Sequence, residues 1–234
     1  MKLPAPKAII SVTAHWEEPQ VTVSTAPKPG MLYDYYGFPD EAYQVVYPAP
    51  GDPALAQRVL QLLAAAGIPA AADAARGFDH GTFVPLLLTY PEAKIPVVQM
   101  SLVKGLDPRL HSAIGTALAP LRDEGVLILG SGLSFHNMGV FMRGMGGGTG
   151  VQKFKPSEAF DAWLGEAATQ RRGAARNEAL AAWAKAPGGR ESHPREEHLL
   201  PLMVVAGAAG EDAGATDFND WLMGARVSGF VFGA

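Results

Sequence analysis

Ala8-Ile9-Ile10-Ser11-Val12-Thr13-Ala14-His15-Trp16 is a run of apolar and β-branched residues that ends on an imidazole. A run of this length without polar alternation reads as a strand covered on both faces, which is the habit of parallel sheets. Working outward, Asp52-Pro53 supplies a helix cap and a first-turn proline, and Leu55, Val59, Leu60, Leu62 and Leu63 form an apolar stripe that stops at Gly67. Ile95 to Leu102 predicts the next strand. Asp107-Pro108 opens a helix through Leu110, Ile114, Leu118 and Leu121, strained at Pro120, and Gly125 to Leu129 predicts a strand that breaks at Gly130-Ser131-Gly132. Downstream, Phe160, Trp163 and Leu164 mark one helix, Leu180 and Trp183 another, and His198 to Ala209 a third that begins near Pro194. Val227 to Phe232 is a closing strand. Strands alternating with helices predict an α/β fold: a single domain over residues 1–234 with a mostly parallel central sheet and helices on both faces.

Composition narrows the chemistry. The 234 residues are 48% apolar and 18% charged, with a formal net charge of −4, inside the range of globular chains. An acidic chain with no Lys/Arg cluster lacks the counterion release that drives nucleic-acid binding, so no nucleic-acid partner is expected. There is no cysteine, which removes disulfides, thiolate metal sites and thiol nucleophiles together. Any metal must sit on His, Asp or Glu. The apolar stretch Leu199 to Ala209 is interrupted by Pro201 and is well short of the roughly 20 residues of a membrane span. Ala8 to Val12 reads as a strand and not as the core of a signal peptide. The expectation is a cytoplasmic protein without a membrane partner. The glycine run Gly144 to Gly150 reads as a surface loop, since no Gly-Lys-Ser/Thr follows to make a phosphate cradle.

Four of the six histidines fall where ligands bind in open α/β sheets or in shaped turns. His15 closes the first strand, His136 follows the Gly130-Ser131-Gly132 break, His80 lies between Gly77 and Gly81 beside Asp79, and His198 sits at the first turn of a helix. His111 lies on the helix after Pro108 and reads as a surface residue; His193, beside Pro194, reads as a cap or as a support to its neighbours. No His-Glu-x-x-His or Gly-x-Ser-x-Gly pattern occurs. The residues point to a mononuclear metal site. Imidazoles with carboxylates suit either non-haem Fe(II) oxygen chemistry or zinc-activated water, and a further histidine is available as acid or base.

The segments Ser11 to Trp16, Tyr33 to Pro39, Tyr47 to Gly51, Arg76 to Gly81, Ile95 to Ser101, Asp123 to Val126 leading to His136-Asn137, and Glu197 to Leu202 occur in that order. Together they closely resemble the class III extradiol ring-cleavage dioxygenases, in the branch of DOPA 4,5-dioxygenase-like enzymes. The resemblance implies O2-dependent opening of a catechol ring beside its two hydroxyls. By position it implies His15, His136 and His198 at the metal and His80 as a proton-handling residue, with His136 either ligand or base. It also implies an earlier strand and a His-Gly-Ser-Pro turn upstream of the segment that Met1-Lys2-Leu3-Pro4 matches. The expectation is therefore a site short of one imidazole and a shortened form that is metal-poor, prone to self-association and slow or inactive with catechols at ambient Fe(II); only if it holds Fe(II) and turns over is a carboxylate such as Glu17 or Glu197 expected as substitute ligand.

Three functions follow from these residues. The first is an Fe(II) extradiol dioxygenase acting with O2 on a small DOPA-like catechol. The second is a zinc-dependent hydrolase using the same histidines. The third is a non-enzymatic binding protein with a vestigial metal pocket, and a homo-oligomer is compatible with all three.

Overall fold

In a computed structural model that describes residues 5–145 and 152–233, the opening apolar run forms β1 (Ala8–Glu18), buried almost throughout as far as Trp16. Four further strands join it: β2 (Val21–Ser24), β3 (Ala70–Asp73), β4 (Val97–Val103) and β5 (Val126–Ser131). Their order is β3-β2-β4-β1-β5. β1 pairs in parallel with both β4 and β5, and β2 with β3, while β2 meets β4 antiparallel. The fold is α/β with a mostly parallel sheet, as its apolar strands predict. β2 and β3 escape the sequence pattern, because four residues each are too short to show a period and Ala70-Ala71-Ala72 carries no β-branched side chain.

The chain resolves into two compact units, one of residues 5–107 and 117–131 and one of residues 108–116 and 132–233. The first holds the sheet. Helix α1 (Pro53–Ala65) is capped by Asp52, whose carboxylate accepts from the Leu55 N–H at 2.9 Å, and buries Leu55, Val59 and Leu63. Helix α2 (His80–Thr89) buries Phe83 and Leu86 against Ile9, Tyr47, Phe78 and Val97. After α3 (Pro108–Leu118), Pro120 ends the helical ladder and restarts it as the short α4 (Pro120–Asp123), the break its sequence predicts.

The second unit contains α5 (Met138–Met145), α6 (Lys155–Thr169), α7 (Gly173–Ala181), α8 (Gly189–Ser192) and α9 (Leu200–Ala209). It closes on an antiparallel hairpin of β6 (Gly214–Leu222) and β7 (Ala225–Phe232). The closing strand expected over Val227 to Phe232 is thus half of a separate ribbon, and β6 went unread because its Thr, Asp and Asn residues face solvent. Trp183 lies in a single 3₁₀ turn after α7 and not in a second helix with Leu180. Beyond Met145, the loop expected over Gly144 to Gly150 lies outside the described residues, as do Met1 to Pro4. Among the described residues no helix is long and apolar enough to cross a membrane.

α9 is buried nearly all round, which requires close neighbours. Gly115 of α3 supplies one: a Cβ there would collide with the Val204 carbonyl oxygen. The buried Arg176 supplies another, donating from Nη2 to the Ala206 and Gly210 carbonyls at 3.1 and 2.7 Å and from Nη1 to Asp212 at 2.9 Å. It supplies donors to carbonyls in the last turn of α9 and just beyond it, where the helical ladder runs out. Helix propensity alone favours alanine over glycine by about 1 kcal/mol. Overpacking a fixed backbone contact typically costs about 1–3 kcal/mol, so Gly115→Ala is expected to lower stability. Urea unfolding checks the sign; a stabilised variant would contradict the close crossing.

Candidate functional site

The pairing of β1 with β4 runs from Ile9↔Val97 to Val12↔Met100 and resumes at Glu17↔Leu102. Between these pairs β1 carries more residues than β4, so the strand bulges, and a bulge re-aims side chains. His15 lies in this bulge, inside the strand and not at its end as the sequence suggests. Asp79, wholly buried, holds the bulge in place. Its carboxylate accepts from Thr13 Oγ1 at 2.9 Å, from the Thr82 N–H at 3.1 Å as the cap of α2, and from Arg76 Nη2 at 3.0 Å. Burial raises the Asp79 pKa, with the hydrogen bonds from Arg76 and Thr13 opposing the rise. His80, expected in a glycine turn, is the first residue of α2. A Cβ on Gly81 would lie 2.6 Å from Thr13 Oγ1 and 2.8 Å from His15 Cδ2, so only glycine lets the bulge approach the helix.

This frame brings the rings of His15 and His80 to 3.9 Å, centroid to centroid. Asp34 joins them: Oδ1 accepts from the His80 backbone N–H at 2.9 Å and from its Nδ1 at 2.7 Å, and Oδ2 lies 3.9 Å from His15 Nδ1. The hydrogen bond to Asp34 raises the His80 pKa against the opposing effect of burial. At Asp34 burial acts to raise the pKa, but the bonds from His80 outweigh it and the pKa is lowered. With Nδ1–H committed to Asp34, the neutral His80 ring keeps its lone pair on Nε2, the form a base needs. Tyr35 stands edge-on to His80 at 5.6 Å and packs against Phe38, Tyr43 and Phe83, giving the cluster an aromatic wall.

His136 and His198 form a second pair. The backbone holds them through the His136 N–H bond to the Ser192 carbonyl and the Leu133 N–H bond to the His198 carbonyl, both 3.0 Å. The two rings stack at 3.4 Å with 18° between their planes. Glu197 Oε1 lies 3.2 Å from His136 Nδ1 and 3.0 Å from His198 Nδ1. Burial pushes the Glu197 pKa up, yet the hydrogen bonds of the two histidines bring it well below the usual carboxylate range. α9 begins at Leu200, later than expected, because Pro201 takes the first-turn position; His198 occupies the turn before it.

In each cluster the three residues offer ligand atoms that lie within 4.8 Å of one another. Two imidazoles and a carboxylate suit Fe(II) and Zn(II) alike, so either donor set fits a divalent cation. His15 and His80 are brought together, as are His136 and His198; His111 and His193 belong to neither group. His111 is fully buried on α3, which corrects its reading as a surface residue: its neighbours Leu110 and Ser112 gave no sign of a second covered face. Asp34 and Glu197 are the groups that the histidine pattern missed in these roles. No spacing in one sequence links Asp34 to His80, 46 residues away.

His193, also fully buried, donates from Nε2 to the Ser134 carbonyl at 3.0 Å and lies against Phe160 and Trp183, a supporting role. Burial lowers its pKa to about 4. A histidine depressed from about 6.5 contributes stability that is complete above pH 6.5 and is lost as the pH falls toward 4, because the unfolded chain takes the proton first. Between pH 7.5 and 5 the loss is about 2 kcal/mol. His193→Gln, which keeps a donor for Ser134, is expected to show a pH dependence of urea unfolding smaller by that amount. Identical slopes would refute a buried neutral imidazole.

Three comparisons bear on these clusters. The family model described as the catalytic LigB subunit of aromatic ring-opening dioxygenase matches residues 1–229, across both units. A Beta vulgaris protein named 4,5-DOPA dioxygenase extradiol is 44% identical over 223 residues, 92% of this chain and 78% of its own. A Hapsidospora irregularis protein named dioxygenase tasH is 38% identical over 234 residues, 97% of this chain and 72% of its own. The crystal structure of an uncharacterized protein from Escherichia coli K12 superposes with a TM-score of 0.79 at 34% identity, covering 97% of this chain and 87% of that one. The chain therefore belongs to the LigB family of aromatic ring-opening dioxygenases and is of its extradiol type.

Proposed function

We propose that the chain opens the ring of a small, DOPA-like catechol with O2, breaking the carbon–carbon bond next to the paired hydroxyls and placing both oxygen atoms in the product. Imidazole ligation of the metal is assigned to His15 and His198, proton transfer at a substrate hydroxyl to His80, and one or other role to His136. When bound, Fe(II) supplies a centre that brings the catechol and O2 together. The protein's part is proton handling and orientation. A catechol that binds through its oxygens must lose a proton, and His80, with Nδ1 held by Asp34, has Nε2 to take it. The edge-on Tyr35 adds an aromatic surface beside that base.

The observation that carries the reading is that four histidines fall into two tight pairs, each closed by one carboxylate, in a chain of this family. An oxygen electrode tests it. The metal-free protein, loaded anaerobically with Fe(II), Zn(II) or nothing, is mixed with DOPA in aerated buffer. Oxygen uptake with ring opening in the Fe(II) form alone is expected. A zinc form that hydrolyses esters without taking up O2 would overturn the proposal, and so would a protein that binds neither metal.

A further inference from the structure

Glu197 meets both stacked imidazoles with the same oxygen atom, at 3.2 and 3.0 Å, and both meet it through Nδ1. A carboxylate oxygen has two lone pairs and can accept both N–H groups at once. The rings stack nearly parallel, and because each meets Glu197 through Nδ1, Nε2 is in each ring the nitrogen that Glu197 does not engage. The other carboxylate oxygen is buried, makes no hydrogen bond among the described residues, and lies 3.4 Å from Arg195 Nη1.

We infer that Glu197 is a positioning residue shared by two histidines, setting His136 and His198 in the same tautomer, with the proton on Nδ1 and the lone pair on Nε2. One carboxylate thereby leaves the lone pair of each of two stacked imidazoles on Nε2, the form in which a histidine binds a metal ion or takes a substrate proton. Outer carboxylates of this kind typically contribute 10–100-fold to metal affinity by fixing ring orientation. This is a different role from the substitute ligand that the sequence suggested for Glu197. The inference extends the ring-opening reading by saying how its second histidine pair is kept ready, but the tautomers stand on geometry alone.

The test therefore has a readout that needs neither metal nor turnover. Nitrogen-15 spectra of the metal-free protein, with rings assigned by His136→Gln and His198→Gln, report which nitrogen carries each proton. In the wild type both rings are expected as the Nδ1–H form. In Glu197→Gln, where the side-chain amide can offer a donor in place of an acceptor, both rings should move toward the Nε2–H form or a mixture, and Zn(II) affinity should fall 10–100-fold. Glu197→Asp, which keeps the charge but shortens the reach, should fall in between. Unchanged tautomers in Glu197→Gln would overturn the inference, and so would complete loss of Zn(II) with the tautomers intact, which would make Glu197 a ligand. If ring opening fails in the wild type while the tautomers shift as expected, the reaction assignment falls and the positioning role stands.

Discussion

His80→Ala is expected to keep its metal content near the wild-type level while kcat falls by roughly 10²–10⁴-fold, the usual contribution of a positioned acid or base. The geometry behind this is specific. His80 is fixed by Asp34 through both its backbone N–H and Nδ1, and by its place at the capped start of α2. Such a ring can accept a proton on Nε2 and stabilise the resulting cation against Asp34. Metal analysis of the purified variant beside steady-state oxygen uptake separates the roles. If metal is lost in proportion to activity, His80 is a ligand and the assignment is wrong.

The second large effect is expected at the ligands. His198→Ala and His15→Ala should each bind metal far more weakly than the wild type, and ring opening should fall to background even at added Fe(II). Both residues sit in ordered settings, His198 in the turn before α9 and His15 in the bulge of β1, so loss of the imidazole need not unfold the chain. Circular dichroism checks the fold, and Zn(II) titration checks the affinity. A variant that folds and holds metal as tightly as the wild type would remove its histidine from the ligand set.

Much of the fold was legible because strong local signals agreed. The β-branched run at Ala8, the Asp52-Pro53 cap and the Pro120 break each state their structure within a few residues. What escaped was decided by distant partners. β2 and β3 are short strands held by pairing with each other, by β4 at the edge of β2 and by α1 packed against both, and the bulge at His15 exists because Asp79, 66 residues beyond Thr13, ties that stretch to α2. The burial of His111 follows from what packs on α3, and no neighbour in sequence announces it.

The candidate clusters are legible in the sequence by residue type but not by arrangement. Histidines at glycine turns and in an apolar strand are conspicuous in a chain with only six of them, and the family's motifs flank each one. Their sorting into pairs was not visible, nor was the carboxylate in each pair. Asp34 lies in a tyrosine-rich stretch whose composition suggests packing, and Glu197 stands next to His198 without indicating that it also reaches His136. Both acids act through hydrogen bonds to Nδ1, and such second partners have no sequence spacing of their own.

The most direct test of the central claim follows labelled oxygen. Fe(II)-loaded protein is mixed with DOPA under ¹⁸O2, and the product is examined by mass spectrometry while O2 and catechol are counted. The account predicts one O2 consumed per catechol opened and label from the gas in the ring-opened product. Loss of catechol without O2, or a product whose new oxygen comes only from water, would contradict it.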